Sequence, residues 1–227
     1  MSGLDLIVRG AMVVSAGAPE RRDVGVLDGR IAALEPDLAG PARDELDAAG
    51  LHLLPGAVDA YVHFNEPGRA DWEGSASGTR ALAAGGATLA VEMPLNAEPP
   101  TLDAEAFDAK RRCAEAAAVV DFALWAGLVP VRLEAMDELA ARGAVGFKAF
   151  MAASGIDSFP MADDLTLFEG MRRAAALGLP VAVHAESETI TAGLAARARA
   201  AGRTAMRDYL ASRPVVAETE AIARALA

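Results

Sequence analysis

From Pro55 onward the chain alternates apolar, strand-like runs with Ala-rich helical segments, five times over. The apolar runs cover residues 56–64, 87–93, 121–128, 144–151 and 180–185. Between them lie helical stretches at about 71–85, 103–118, 131–142 and 165–177, and Arg- and Ala-rich helical sequence continues to Ala227. Asp71 reads as a helix N-cap and the Gly85-Gly86 pair as its C-cap. Strands that are apolar throughout are buried on both faces, and strands alternating with helices form parallel sheets. The fold class is therefore α/β, either doubly wound or a (β/α)8 barrel of the TIM type. No Gly-x-Gly-x-x-Gly follows the first run, which argues against a dinucleotide fold.

The sequence before this repeat has a different rhythm. Residues 4–9 alternate in polarity, Gly10 reads as a turn, and Met12-Val13-Val14 resumes a strand. Residues 23–27 and 30–34 flank Asp28-Gly29, a hairpin turn signal. Residues 36–47 are polar, and residues 51–54 are apolar again. The division is residues 1–54, a small β unit, and residues 55–227, a β/α unit. A β unit of about 50 residues has a marginal core and is expected to pack on something else.

Composition narrows the partners. The net charge of -11, with no basic cluster, argues against nucleic acid. Residues 1–30 lack the basic and apolar regions of a secretory signal, and no uncharged apolar run approaches the roughly 20 residues a membrane helix needs. Cys113 is the only cysteine, so no internal disulfide is expected; it has no His nearby in sequence and reads as a helix-face residue. These features point to a cytoplasmic protein with neither nucleic acid nor membrane as partner.

Only Lys110 and Lys148 are lysines; the other basic residues are Arg. Lys148 lies in the apolar run 144–151. A buried ammonium is costly, so its pKa falls or it finds a partner. Arg cannot replace a lysine whose job needs a neutral amine. One such job is reaction with carbon dioxide to give a carbamate that bridges two metal ions; the plainer reading is a strand-end lysine that snorkels to water. His63 and His184 fall near the C-terminal ends of the first and fifth runs, as Lys148 does in the fourth. Parallel α/β folds place their sites there. Taken singly, such a His is more often a hydrogen-bonded structural residue than a ligand. Of three His, however, two occupy this face, and the third, His52, lies before Pro55 and reads as structural. Asp59, Glu66, Glu92 and Glu186 flank the same strand ends, where they could orient a ligand, or simply cap or pair.

Residues 55–69, Pro-Gly-Ala-Val-Asp-Ala-Tyr-Val-His-Phe-Asn-Glu-Pro-Gly-Arg, resemble the strand-one signature of the cyclic amidohydrolases. Trp72-Glu73-Gly74, Glu92-Met93-Pro94-Leu95-Asn96, Pro99-Pro100-Thr101, residues 146–151 and Ser154-Gly155-Ile156-Asp157 look specifically like the allantoinases among them. The resemblance covers essentially the whole chain, with several motifs in order. It implies a (β/α)8 barrel beside a small β-sandwich built from both chain ends. It also implies two divalent metals, usually zinc, held by a His-x-His pair, a carbamylated lysine, two further His and an Asp. By position His63 matches the second His of the pair, Lys148 the carbamylated lysine and His184 the strand-five ligand. The implied chemistry is attack of a metal-generated hydroxide on a ring amide, allantoin opening to allantoate in ureide breakdown. Asn65 and Asn96 are the candidate substrate contacts. Dihydroorotases place an Arg at the position of Asn65 to grip a carboxylate, whereas an Asn suits a neutral, amide-rich ring. Either Asn could instead bond its own loop backbone.

Two departures from the pattern follow. Tyr61 stands where the family has its first His, and a phenol, with an ordinary pKa of about 10, is a poorer zinc ligand than imidazole. Five strand–helix units run to Ala227, against eight in a closed barrel. The strand-six His and strand-eight Asp have no counterpart in these units, so no catalytic acid–base residue is assigned. The expectation is an incomplete barrel with unpaired edges, completed by association or by further polypeptide, and a homo-oligomer when complete. Three functions fit: an allantoinase, a hydantoinase- or dihydropyrimidinase-like cyclic amidase, or a non-catalytic relative acting as scaffold or partner subunit.

Overall fold

In the computed structural model, which describes residues 3–227, the chain divides into two units, one up to Gly56 and one from Ala57 to Ala227. The first is a five-stranded sheet. Strands β1 (Leu4–Val13), β2 (Glu20–Leu27) and β3 (Arg30–Glu35) form an antiparallel meander, and β4 (Ala42–Asp47) and β5 (His52–Leu53) pair parallel to β1. Gly10 does not turn the chain. It sits at φ 67° inside β1, where the register with β2 shifts between Val8 and Ala11, so it is a bulge. Asp28 and Gly29 both have positive φ, as a tight hairpin turn needs. The apolar core is Val8, Ala11, Val24 and Ala48, flanked by Leu6, Val13 and Leu53. Within it Asp23 is buried and accepts from Gly10 N (2.7 Å), Leu38 N (3.0 Å) and Arg9 Nη1 (3.0 Å).

The second unit opens with β6 (Ala57–Val62), α1 (Ser75–Ala84), β7 (Ala87–Glu92), α2 (Ala104–Ala117), β8 (Asp121–Leu124) and β9 (Ala126–Gly127). A 3-10 turn over Pro130–Ala135 leads into α3 (Met136–Ala141). Then come β10 (Phe147–Phe150), α4 (Asp164–Ala176), β11 (Val181–His184), α5 (Glu188–Ala200), α6 (Met206–Ala211) and α7 (Val215–Leu226). All strand pairs are parallel, in the orders β6-β7-β8 and β9-β10-β11. Neighbours in space are thus neighbours in sequence, without the reversal that marks a doubly wound sheet. The third apolar run is broken at Trp125, whose indole donates to Ala60 O at 3.0 Å and fills the space above Gly146. Trp125 N still bonds Glu92 O (2.9 Å) and Ala126 N bonds Gly146 O (3.0 Å), which links the two halves.

One core, including Phe107, Leu124, Leu128, Met136, Leu139, Phe147 and Leu167, lies between strands and helices; a second gathers Met93, Leu95, Leu102, Val129 and Phe159. Helix α1 begins later than its sequence suggests. Its N-cap is Gly74 at φ 87°, and the Glu66 carboxylate accepts from Ser75 N (2.9 Å), the role expected of Asp71. Asp103 and Asp163 cap α2 and α4 by accepting from the third residue on (3.0 and 2.8 Å). Among the described residues no helix is long and apolar enough to cross a membrane.

Candidate functional site

The C-terminal ends of the parallel strands bring Tyr61, His63, Lys148 and His184 together. In β10 and β11 the register sets Lys148 opposite Ala182 and Phe150 opposite His184. Lys148, Phe150 and His184 therefore share one face. The Phe150 and His184 rings stack with centroids 5.0 Å apart. Lys148 Nζ lies 5.1 Å from the ring centres of both Tyr61 and Phe150. Tyr61 in turn meets His63 edge-on at 5.4 Å. An open cavity of about 480 Å³ is lined by Tyr61, Lys148, His184, Glu186, Glu218 and Ile222 among others.

Burial shifts the titration of Lys148 and His63. Lys148 is 2% exposed and takes part in no ion pair among the described residues. Burial alone pushes its amine down to about 8. His63 donates from Nδ1 to Leu95 O at 2.8 Å, which leaves Nε2 with a free lone pair. Burial lowers its pKa, partly offset by the bond to Leu95, and the Lys110 and Lys148 charges add to the lowering. His184 Nε2 lies 3.5 Å from Glu186 Oε2, and Arg213 Nε lies 3.6 Å from the other Glu186 oxygen. Two imidazoles and a depressed lysine amine are donors that fit a divalent metal once the amine is carbamylated. No group of three or more His, Cys, Asp or Glu is placed to hold a metal among the described residues. Any such centre here depends on the lysine.

The two asparagines also meet. Asn96 Nδ2 donates to Asn65 Oδ1 at 3.2 Å across a separation of 31 residues. Asn65 is buried and adopts φ 64°, the left-handed conformation that Asn tolerates better than most residues. The flanking carboxylates take four different roles. Asp59 accepts from Tyr61 N (3.1 Å), Glu66 caps α1, Glu186 faces His184, and Glu92 is buried against Lys110. His52 lies exposed in β5 of the other unit.

The pair Glu92–Lys110 escapes sequence reasoning. Both residues are 1% exposed, with Nζ 3.0 Å from Glu92 Oε1. Burial pushes the carboxyl up and the amine down, and each charge offsets the other's displacement. A helical lysine among Arg111, Arg112 and Glu115 reads as solvated. The signal lies in its spacing: Ala106, Phe107, Lys110 and Ala114 share the buried face of α2.

With this geometry in hand, likeness to known proteins decides the family. Residues 50–227 match the family model described as dihydro-orotase-like. The chain belongs to the dihydro-orotase-like family. It is 66% identical over 226 residues to an allantoinase of Rubrobacter xylanophilus, covering 100% of this chain and 50% of that one. The allantoinases of Solibacter usitatus and Deinococcus radiodurans are 58% and 53% identical, over 97% and 98% of this chain and 48% and 50% of theirs. Among solved structures, an L-hydantoinase (dihydropyrimidinase) from Arthrobacter aurescens superposes with a TM-score of 0.92 at 38% identity, over 98% of this chain and 50% of that one. A D-hydantoinase gives 0.87 at 32%, over 98% and 49%. The chain spans about half the length of the relatives it matches.

Proposed function

We propose that the chain forms part of a metal-dependent cyclic amidohydrolase of the TIM-barrel type that opens allantoin to allantoate. The observation that supports this most is Lys148: a buried, unpaired amine with its pKa near 8, on the strand-end face that bears His63 and His184. In the neutral form Nζ can add to carbon dioxide, forming an N–C bond and releasing a proton, to give an anionic carbamate. The carbamate, His63 through Nε2, and His184 would hold the metal, with zinc the ion suited to this donor set. When bound, such a metal supplies an activated water near neutral pH and polarises an amide carbonyl. The rest falls to side chains. Asn65 and Asn96 hold each other and keep an amide donor and an acceptor free, which suits a neutral ureide ring and offers no cation to a carboxylate. Arg69, the nearby cation, is turned to Trp72 (5.0 Å) and Glu98 (3.7 Å).

The likeness to allantoinases at 53–66% identity favours allantoin as substrate. The superposition on an L-hydantoinase supports a second reading, a 5-substituted hydantoin. The test is turnover by the protein purified from its native source, offered allantoin and a hydantoin separately, beside its Lys148→Met variant. Allantoate formation that Lys148→Met abolishes is the expected result. Hydantoin turnover alone selects the second reading. No turnover of either leaves a non-catalytic relative, the outcome that Tyr61 favours.

A further inference from the structure

The chain's two lysines are both buried, but only one has a use in the chemistry proposed above. Among the described residues Lys148 makes no ion pair, and it lines a cavity, whereas Lys110 is held by two partners. Its Nζ lies 3.0 Å from Glu92 Oε1 and donates to Met93 O at 2.7 Å. Glu92 Oε1 also accepts from Phe64 N at 3.2 Å. An ion pair this deep gains little net stability, since a well-packed apolar pair of similar volume is often as stable or more so. The bonds of this pair reach specific backbone atoms instead. Phe64 follows His63 directly, at the point where the chain leaves β6. Met93 is the first residue past β7 and donates to Val62 O at 2.9 Å. Two residues on, Leu95 O receives His63 Nδ1 at 2.8 Å, and Asn96 then bonds Asn65 at 3.2 Å.

We infer that Lys110 and Glu92 are positioning residues: from beneath, they fix the exits of the loops after β6 and β7, and so set where His63, Asn65 and Asn96 stand. What those three residues bind rests on the reading above; the tether itself does not. Lys110 acts as a cation with three donors, reaching the Glu92 carboxylate and a carbonyl at once, while Glu92 reaches across to the neighbouring strand's exit. Neither lines the cavity beside Tyr61, Lys148 and His184.

The experiment compares wild type with Lys110→Met, Glu92→Leu, the double variant Glu92→Leu/Lys110→Met, and Glu92→Gln/Lys110→Met. Global stability comes from urea titration, site order from amide hydrogen exchange, and zinc affinity from competition with a chromophoric chelator. Each single variant leaves one buried charge unpaired and loses stability. The Leu/Met double variant recovers stability to near wild type, yet exchange at Phe64 and Met93 stays at least tenfold faster while β10 is unchanged, and zinc binds at least tenfold more weakly. The Gln/Met variant keeps an acceptor for Phe64 N and restores protection at Phe64 but not at Met93. Recovery of stability together with protection at both amides in the Leu/Met variant overturns the inference and leaves the pair purely structural. If wild type binds no zinc, the metal reading fails by itself, and the exchange data still decide the tether.

Discussion

The Lys148 ammonium rests 5.1 Å from the centre of the Tyr61 ring and pairs with no carboxylate among the described residues. The contact is the kind that supports a cation weakly, by roughly 0.5–2 kcal/mol, and it does not restore the amine to its ordinary basicity. Burial wins, and the amine falls to about 8. Lys148, without an ion-pair partner among the described residues, and the paired Lys110 give the chain an internal comparison. Labelled with a trace of acetic anhydride, Lys148 is expected to be acetylated at least tenfold faster than Lys110, with a rate that rises through a midpoint near pH 8. Peptide mass spectrometry separates the two sites; equal rates would show that the environments do not differ as described.

Tyr61 offers a phenol edge-on to His63, where an imidazole would add a nitrogen donor. Tyr61→His is therefore expected to tighten zinc binding at least tenfold or to add an ion per chain, read by calorimetry. Tyr61→Phe should bind as wild type does. If Tyr61→Phe instead loses zinc, the phenol oxygen is itself a ligand.

Gly78 in α1 is pressed against Phe64, the residue after His63. A β-carbon there would lie 2.4 Å from the Phe64 ring. Overpacking of this kind costs about 1–3 kcal/mol, so Gly78→Ala should lower the urea midpoint and weaken zinc binding through the displaced loop. Gly193 in α5 has nothing within 4 Å, so Gly193→Ala should be neutral or stabilising by up to about 1 kcal/mol. Equal effects at the two sites would contradict the packing described.

In the first unit, the Leu38 and Gly10 amides and then Arg9 hold the Asp23 carboxyl down at about 2. A carboxyl with a depressed folded pKa adds stability above its unfolded value, near 4, and loses it as pH falls through about 2. Discounted for solvent screening, the contribution is about 1–2 kcal/mol. Asp23→Asn is expected to unfold this unit at lower urea at pH 7, and the gap to wild type should close by pH 2. A gap that persists at pH 2 would place the effect in packing rather than in charge.

The sequence made the strand–helix alternation legible because the strands are mostly apolar and the helices bury one face, although the edge strand β6, expected to be buried on both faces, is largely exposed because no strand covers its outer side. It also made His63, Lys148 and His184 legible as a group, since that alternation fixes which residues stand at strand ends. What it hid depends on partners distant in the chain. Strand β4 is mostly exposed and polar, and pairing with β1 makes it a strand. Glu66 caps a helix nine residues on, from a loop that Asn65 enters in the left-handed conformation. The run 121–128 is one apolar stretch in sequence but breaks where Trp125 turns to Ala60. Lys110 and Glu92 find each other only when α2 packs on the sheet, and the Asn65–Asn96 bond likewise needs two loops brought together.

The proposed function requires His63, Lys148 and His184 to form one metal centre. The most direct measurement is metal content per chain, by elemental mass spectrometry, for wild type, His63→Ala, Lys148→Met and His184→Ala loaded with zinc and bicarbonate and then desalted. At least one retained zinc per wild-type chain, and loss of retained zinc in all three variants, is expected. Zinc absent from wild type, or retained equally by the variants, would contradict it.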